Sequence, residues 1–136
     1  MKRDRPIPTR DSLPAGWTVE RWDITKAALR DVIWARAVID DPIGYEELSK
    51  ELKLSGVIVG HRSSPMTGLL NELAADVHED AKCWVTTFVV WAGTKRSSDG
   101  LFRLVPKVEW EHLGPTAFCR QQRQLAHIWI TKHPET

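Results

Sequence analysis

Two adjacent residues, His61 and Arg62, form the best candidate for chemistry in this sequence. They follow Gly60 and precede a predicted helix start at Ser64–Pro65. A histidine can act as a general acid or base, and a guanidinium can stabilise charge in a transition state. Amides at a helix N-terminus also favour anions. The pair is therefore compatible with a small, metal-independent phosphoester hydrolase. The simpler interpretation is a surface histidine beside a capping serine.

Positive charge is densest between residues 93 and 107, where the single acid is Asp99. Lysine and arginine form charge-assisted hydrogen bonds with phosphates, and such contacts position a protein without reading bases. We predict that this segment is a basic wing that binds nucleic acid through four residues, Lys95, Arg96, Arg103 and Lys107. Further bases lie at residues 1–10 and, near the end of the chain, at Arg120, Arg123 and Lys132. The alternative is that these are unrelated solvated segments.

The predicted third helix carries the opposite charge. The residues expected on its exposed face are acids and an amide, namely Asn71, Glu72, Asp76, Glu79 and Asp80. Phosphates repel such a face, which disfavours sequence-specific reading of the major groove. The same face supports a second possibility, a protein-interaction or regulatory module in which the acidic helix could mimic DNA.

We predict no metal, cofactor or catalytic residue. Cys83 and Cys119 are not in a Cys-x-x-Cys pair, so they are expected to be two buried thiols, with one disulfide as the alternative. Glu109, Glu111 and His112 could approach a divalent ion, but nothing fixes a further ligand. Asp40–Asp41 precedes Pro42 and is better explained as a helix terminator. The sequence contains no phosphate loop or dinucleotide fingerprint.

Length and composition predict one globular domain. The chain has 136 residues, a formal charge of +1, 42% hydrophobic residues and 27% charged residues, a mix that disfavours disorder. Its apolar runs are far shorter than the roughly 20 residues of a membrane helix, and no secretory signal is recognisable. We therefore expect a cytoplasmic protein without a membrane partner, its oligomeric state unspecified. Residues 1–16 are expected to be a mobile basic arm and residues 17–136 a single domain.

Hydrophobic periodicity predicts four helices, at residues 24–39 with Asp23 as the N-cap, 45–53, 64–79 and 115–130. Trp17, Val19 and Trp22 alternate as in a short strand, and residues 54–60 read as a turn or brief strand. Residues 84–92 and 101–105 are rich in strand-forming residues, and the polar loop between them predicts a β-hairpin. We therefore predict an α+β fold: a winged-helix-like helical triad, a β-hairpin and a C-terminal covering helix.

The stretch Ile43-Gly44-Tyr45-Glu46-Glu47-Leu48 resembles the start of the second helix in the winged-helix DNA-binding domain of alkylguanine methyltransferases and alkyltransferase-like proteins. The resemblance covers about residues 24–105 and implies a DNA-binding scaffold. The catalytic Pro-Cys-His-Arg motif of the methyltransferases is missing. The corresponding residues 84–89 contain no nucleophile, so alkyl transfer is not implied.

A second resemblance covers about 90 residues. Tyr45-x-x-Leu48, Pro65-Met66-x-x-Leu69-Leu70 and Phe118-x-x-x-Gln122-x-Gln124-Leu125-x-x-x-Trp129 resemble the pattern of small prokaryotic single-domain proteins of unknown function. That resemblance carries no activity. From the residues themselves we predict a non-catalytic nucleic-acid-associated or regulatory module that contacts phosphates through the basic wing. The protein-interaction module and the hydrolase centred on His61 and Arg62 are the alternatives.

Overall fold

A computed structural model describes residues 6–133 of the chain. Its elements in chain order are α1 (Val19–Val38), β1 (Ile43–Gly44), α2 (Tyr45–Leu54), α3 (Ser64–Ala81), a 3₁₀ helix (Val85–Phe88), β2 (Val89–Val90), α4 (Asp99–Leu104), α5 (Lys107–Trp110) and α6 (Pro115–Lys132). Among these residues β1 and β2 form a two-stranded parallel sheet, with Ile43 opposite Val89 and Gly44 opposite Val90. The predicted α+β class is confirmed.

Helix α1 begins earlier than its apolar pattern indicated. The hydroxyl of Thr18 accepts a hydrogen bond from the Arg21 amide at 3.1 Å, so Thr18 is the N-cap. The predictions of a strand at residues 17–22 and of an Asp23 cap are therefore wrong. A three-residue alternation is too short to outweigh a good cap, and Asp23 lies inside the helix.

Helices α2 and α3 occur close to where the sequence places them. The N-cap of α3 is Ser63, one residue before the predicted start, and its hydroxyl accepts from the Met66 amide at 3.4 Å. The apolar stripe of α3 is buried as expected, and its buried side chains include Met66, Leu69, Leu70 and Leu73. Helix α3 packs against α1, α4 and the 3₁₀ helix, so one of its faces lies in the core of the fold.

The predicted β-hairpin is wrong, and with it the predicted wing. Residues 84–92 are mostly buried, but they begin with a 3₁₀ turn in which the Thr87 hydroxyl donates to the Trp84 carbonyl at 2.6 Å. The two residues that follow pair with β1 rather than with the predicted second strand.

That second strand is a helix. Residues 101–105 read equally well with a helical period, because Leu101, Leu104 and Val105 are three and four residues apart. Ser98 is the N-cap of α4, and Leu101 and Val105 are buried. Short apolar runs do not distinguish strand from helix, and here packing against α3 favours the helix.

Helix α6 covers α1 and the 3₁₀ helix, as expected of a C-terminal covering helix. The sequence pattern predicts that Leu125 and Ile128 lie on its apolar side and Arg123 on the opposite side, and the buried face differs from that prediction. Leu125 and Ile128 are exposed, whereas Arg123, expected on the solvent side, is only 9% exposed. The core consists of one large cluster built around α1, α2 and α3 and a smaller one around Leu101 and Phe118.

Part of the predicted N-terminal arm contacts the helices. The Arg10 guanidinium pairs with Asp23 at 2.9 Å, and the Arg10 amide donates to Glu72 at 2.7 Å. Leu13 and Trp17 pack against the main core. Residues 1–5 of that arm lie outside the described residues. In the part of the chain that the structure covers, no helix combines the length and apolar character needed to cross a membrane.

Candidate functional site

The beginnings of α2, α3 and α4 surround one groove on the surface. Its larger part has a volume of about 670 Å³ and adjoins a part of about 520 Å³. Both parts share four lining residues, Tyr45, His61, Arg62 and Trp91. The charged residues that line one part or the other are Glu46, Glu47, Lys50, Lys95 and Asp99.

Two aromatic residues, Tyr45 and Trp91, line both parts of the groove. The Tyr45 and Trp91 rings lie 4.3 Å apart between centroids, tilted by 40°. The Tyr45 hydroxyl accepts a hydrogen bond from the Ser98 amide at 2.7 Å. Burial raises the pKa of the Tyr45 phenol above its usual value, so the ring stays neutral. Trp91 is half-buried and carries the Arg62 guanidinium 5.3 Å above its ring centroid.

The acids that line the groove already have basic partners. Glu47 pairs with Arg36 at 3.1 Å, and Glu46 pairs with Lys50 at 3.6 Å. Asp99 pairs with Arg96 at 3.0 Å.

Two cations of the groove are not compensated in this way. Within residues 6–133, Arg62 and Lys95 make no salt bridge to an acid. Both side chains belong to exposed residues. The groove therefore presents uncompensated positive charge beside an indole ring.

The N-terminus of α3 adds to this positive potential. Its first turn contains no acidic residue, and Arg62 directly precedes the Ser63 cap. The first turn of α2 instead carries Glu46 and Glu47, which offset the partial charge of that helix end. An anion is therefore favoured on the α3 side of the groove.

Lys95 lies on a loop that α6 holds in place. Its backbone has φ 57°, in the left-handed region that is uncommon for residues other than glycine. Arg123 donates from Nη1 to the Lys95 and Thr87 carbonyls, each at 3.1 Å. The Ser97 hydroxyl donates to the Val89 carbonyl at 2.8 Å, which fixes the other end of the loop.

Sequence reasoning missed Arg123 as the anchor of this loop. Burial lowers the pKa of its guanidinium, and its two described acceptors are carbonyls rather than a carboxylate. A buried arginine of this kind leaves no signal in the sequence, because arginine on a helix is usually solvated. Trp91 was missed as well, since its run of apolar residues indicated a buried strand.

The four predicted phosphate-binding residues do not form one site in the groove. Lys95 lines it, whereas Arg96 pairs with Asp99 and lies 5.2 Å above the Phe102 ring. Arg103 on α4 and Lys107 on α5 are exposed residues outside the lining of the groove. The sequence pattern assigns His61 and Arg62 to a site separate from the basic wing. In the structure they line the same groove as Lys95.

The groove contains His61 and Arg62, the two residues on which the alternative hydrolase is centred. The Ser63 hydroxyl donates to the Gly60 carbonyl at 2.7 Å and caps α3, so it is engaged in structure. Among the described residues no second histidine lines the groove. His78 stacks on Trp84 and His127 bonds the Ala37 carbonyl, while His112 and His133 lie elsewhere on the surface.

The acidic face of α3 is less solvated than expected. Glu72 accepts from Trp22 Nε1 at 3.2 Å and from Lys26 Nζ at 3.1 Å, and the Lys26 ammonium also binds Asp76. Asn71 donates to the Gly100 carbonyl at 2.9 Å. Only Glu79 and Asp80 of the predicted five remain exposed and outside the salt bridges found in residues 6–133.

A second concavity, of about 340 Å³, lies between α1, α3 and α6, with Trp34 and Trp129 in its lining. The Arg30 guanidinium covers the Trp34 ring at 4.3 Å, and Lys26 is paired with acids. Arg30 and Asp80 of this lining make no salt bridge within residues 6–133, so the cleft carries one such charge of each sign, whereas Arg62 and Lys95 of the groove are both positive.

Cys83 and Cys119 are buried free thiols, as the sequence favoured. Burial raises the pKa of the Cys83 thiol to about 11, which makes it a poor nucleophile at neutral pH. Over residues 6–133, no group of three or more potential ligands is placed to hold a metal ion. Glu109 instead accepts a hydrogen bond from Trp84 Nε1 at 3.1 Å.

No family model matches this chain, and comparisons with curated proteins and with solved structures return no match. The resemblances to alkyltransferase-like winged-helix domains and to small prokaryotic proteins therefore stay predictions.

Proposed function

We propose that this protein is a non-catalytic nucleic-acid-binding module that contacts phosphates in the groove between α2, α3 and α4. The observation that carries the proposal is the pair of cations, Arg62 and Lys95, without an acidic partner in the described structure beside the N-terminus of α3. Lys50 extends the same basic rim, although it shares its charge with Glu46.

The distribution of charge in the groove favours a polyanion over a single small anion. Salt bridges to Arg36 and Arg96 offset the charges of Glu47 and Asp99, which reduces the repulsion that a phosphate meets in the groove. The phosphate-binding groups are spread along a groove of several hundred Å³ rather than converging on one point. A chain of phosphates matches such a distribution, and neutralising each one releases counterions.

Of the four residues predicted to bind phosphate, only Lys95 is part of this proposed site. Its other phosphate contacts are Arg62 and Lys50, in place of Arg96, Arg103 and Lys107. Phosphate contacts carry no sequence information, so binding is expected to be largely independent of sequence. A cytoplasmic location, where the buried thiols remain reduced and nucleic acid is accessible, belongs to the same proposal.

The test is the salt dependence of binding to a fluorescently labelled oligonucleotide. Three phosphate contacts to a single strand give a log–log slope of roughly −2. The double variant Arg62→Glu and Lys95→Glu should have a slope of less than half the wild-type magnitude. It should also bind more weakly at low salt.

The matched control is the double variant Lys53→Glu and Lys132→Glu, which makes the same change in net charge at two exposed residues outside the groove. It should keep the wild-type slope. If both double variants weaken binding equally, only the overall charge matters and the groove has no special role. If the groove variant binds as the wild type does, the proposal is overturned.

A further inference from the structure

We infer that the groove takes single-stranded nucleic acid and that one unpaired base stacks between the Trp91 indole and the Arg62 guanidinium. The inference rests on the proposed function and adds to it the class of nucleic acid. Its basis is the position of these two planar groups within one groove.

The spacing of the two groups is wider than in two other cation–π pairs of the described residues and close to the 5.2 Å between Arg96 and the Phe102 ring. Arg21 lies 3.7 Å from the Trp17 ring centroid and Arg30 lies 4.3 Å from that of Trp34. The corresponding distance between Arg62 and Trp91 is 5.3 Å. Stacked bases are separated by about 3.4 Å, so a base between the two groups requires the guanidinium to move outward by roughly 1.5 Å.

Arg62 is free to make that movement. It belongs to an exposed residue and makes no salt bridge within the described part of the chain. Trp91, in contrast, is half-buried and packs against the buried Tyr45 ring, whose hydroxyl is held by the Ser98 amide. The groove thus combines a fixed aromatic platform with an adjustable planar cation, and both kinds of group stack on bases.

The shape of the groove selects the single strand. The bases of a duplex are stacked inside a convex cylinder, so their faces cannot reach an indole that lines a concavity. Unpaired bases expose both faces, and an aromatic platform beside a basic groove is the usual means of binding them without regard to sequence. The volumes of about 670 and 520 Å³ suit one or two nucleotides and not a double helix.

The decisive experiment compares ligands on the wild-type protein. Binding is measured by fluorescence anisotropy to an oligothymidylate of about 12 nucleotides, to an abasic oligonucleotide with the same number of phosphates, and to a duplex of equal length. Stacking of one base contributes a factor of roughly 5 to 150 in affinity, so the oligothymidylate should exceed the abasic strand by that factor. The duplex should bind more weakly than the oligothymidylate.

Variants then show which side chains cause the difference between the oligothymidylate and the abasic strand. Trp91→Leu should remove the difference between the oligothymidylate and the abasic strand, whereas Trp91→Phe, which keeps an aromatic ring, should retain most of it. Arg62→Lys keeps the charge and loses the plane, so it should weaken binding of the oligothymidylate more than binding of the abasic strand. Circular dichroism and thermal unfolding establish that each variant is folded.

The outcomes separate this inference from the proposed function. Equal affinity for the oligothymidylate and the abasic strand, with both lost on reversing Arg62 and Lys95, overturns base stacking and leaves phosphate binding intact. Preference for the duplex likewise overturns the single-strand inference alone. Absence of binding to all three ligands at low salt overturns both.

Discussion

The sequence places Glu72 on an exposed acidic face, but in the structure its side chain connects several elements. Its carboxylate accepts from the Arg10 amide, the Trp22 indole and the Lys26 ammonium. Burial alone would raise the pKa of this carboxyl group, but the three hydrogen bonds outweigh burial and lower it. The ionised form is therefore a structural component that joins the N-terminal segment and α1 to α3.

We expect Glu72→Gln to destabilise the fold by about 1–3 kcal/mol at neutral pH, because it weakens hydrogen bonds to a charged acceptor. The depressed pKa also fixes the sign of the pH dependence. Stability from ionised Glu72 is present above the ordinary glutamate pKa of 4.5 and is lost as the pH falls through the lower folded-state value. Thermal unfolding between neutral and acidic pH should therefore show a smaller loss for the variant than for the wild type.

Glu79→Gln is the matched control, since Glu79 lies two turns further along α3 and is exposed. It should leave both the melting temperature and its pH dependence unchanged. A parallel loss of stability in the two variants at all pH values would contradict the role assigned to Glu72.

At the scale of elements, the close approach of the N-terminal segment to α3 depends on a glycine. A Cβ atom on Gly68 would lie 2.2 Å from the Pro8 carbonyl oxygen and 3.0 Å from Cη2 of Trp22. Both neighbours are fixed, one as backbone and the other as a fully buried ring. Gly68 thus allows a strap of residues 6–16 to lie across the helix.

Gly68→Ala should destabilise the protein by about 1–3 kcal/mol through overpacking, although alanine is the better helix former. Chemical denaturation measures the change. Gly93→Ala is the control, because a Cβ atom there meets nothing within 4 Å and its φ is not in the left-handed region. A gain in stability for Gly68→Ala would mean that the segment does not pack as described.

At the scale of the whole molecule, Arg123 joins elements that are distant in the chain. It extends from α6 to the carbonyl of Thr87 in the 3₁₀ helix and to that of Lys95 in the groove loop. The position of one groove cation therefore depends on a helix that contributes no residue to the groove lining.

We expect Arg123→Met to leave these two carbonyls without their donor, at a cost of about 1–3 kcal/mol in stability. Oligonucleotide affinity should also fall, because the loop that carries Lys95 loses its tether. Arg120→Met, at an exposed position on the same helix, should change stability by less than about 0.5 kcal/mol. Unchanged oligonucleotide affinity in a folded Arg123→Met variant would show that Lys95 does not depend on this anchor.

The elements that the sequence predicted well are helices whose formation depends on residues close together in the chain. Helices α2, α3 and α6 follow from an apolar stripe, a capping serine or an N-terminal proline, all within a few residues of each other. His61 and Arg62 were recognised as a candidate site for the same reason, since their position before a helix start is visible in the sequence.

The rest required tertiary information. The pairing of Ile43–Gly44 with Val89–Val90 joins segments far apart in the chain, and residues 101–105 fit a strand or a helix until α3 packs against them. Likewise, no local pattern shows that Arg123 is buried or that Glu72 has three donors. The sequence shows the types of the residues that line the groove, but their assembly into one groove depends on which long-range contacts bury the most apolar surface.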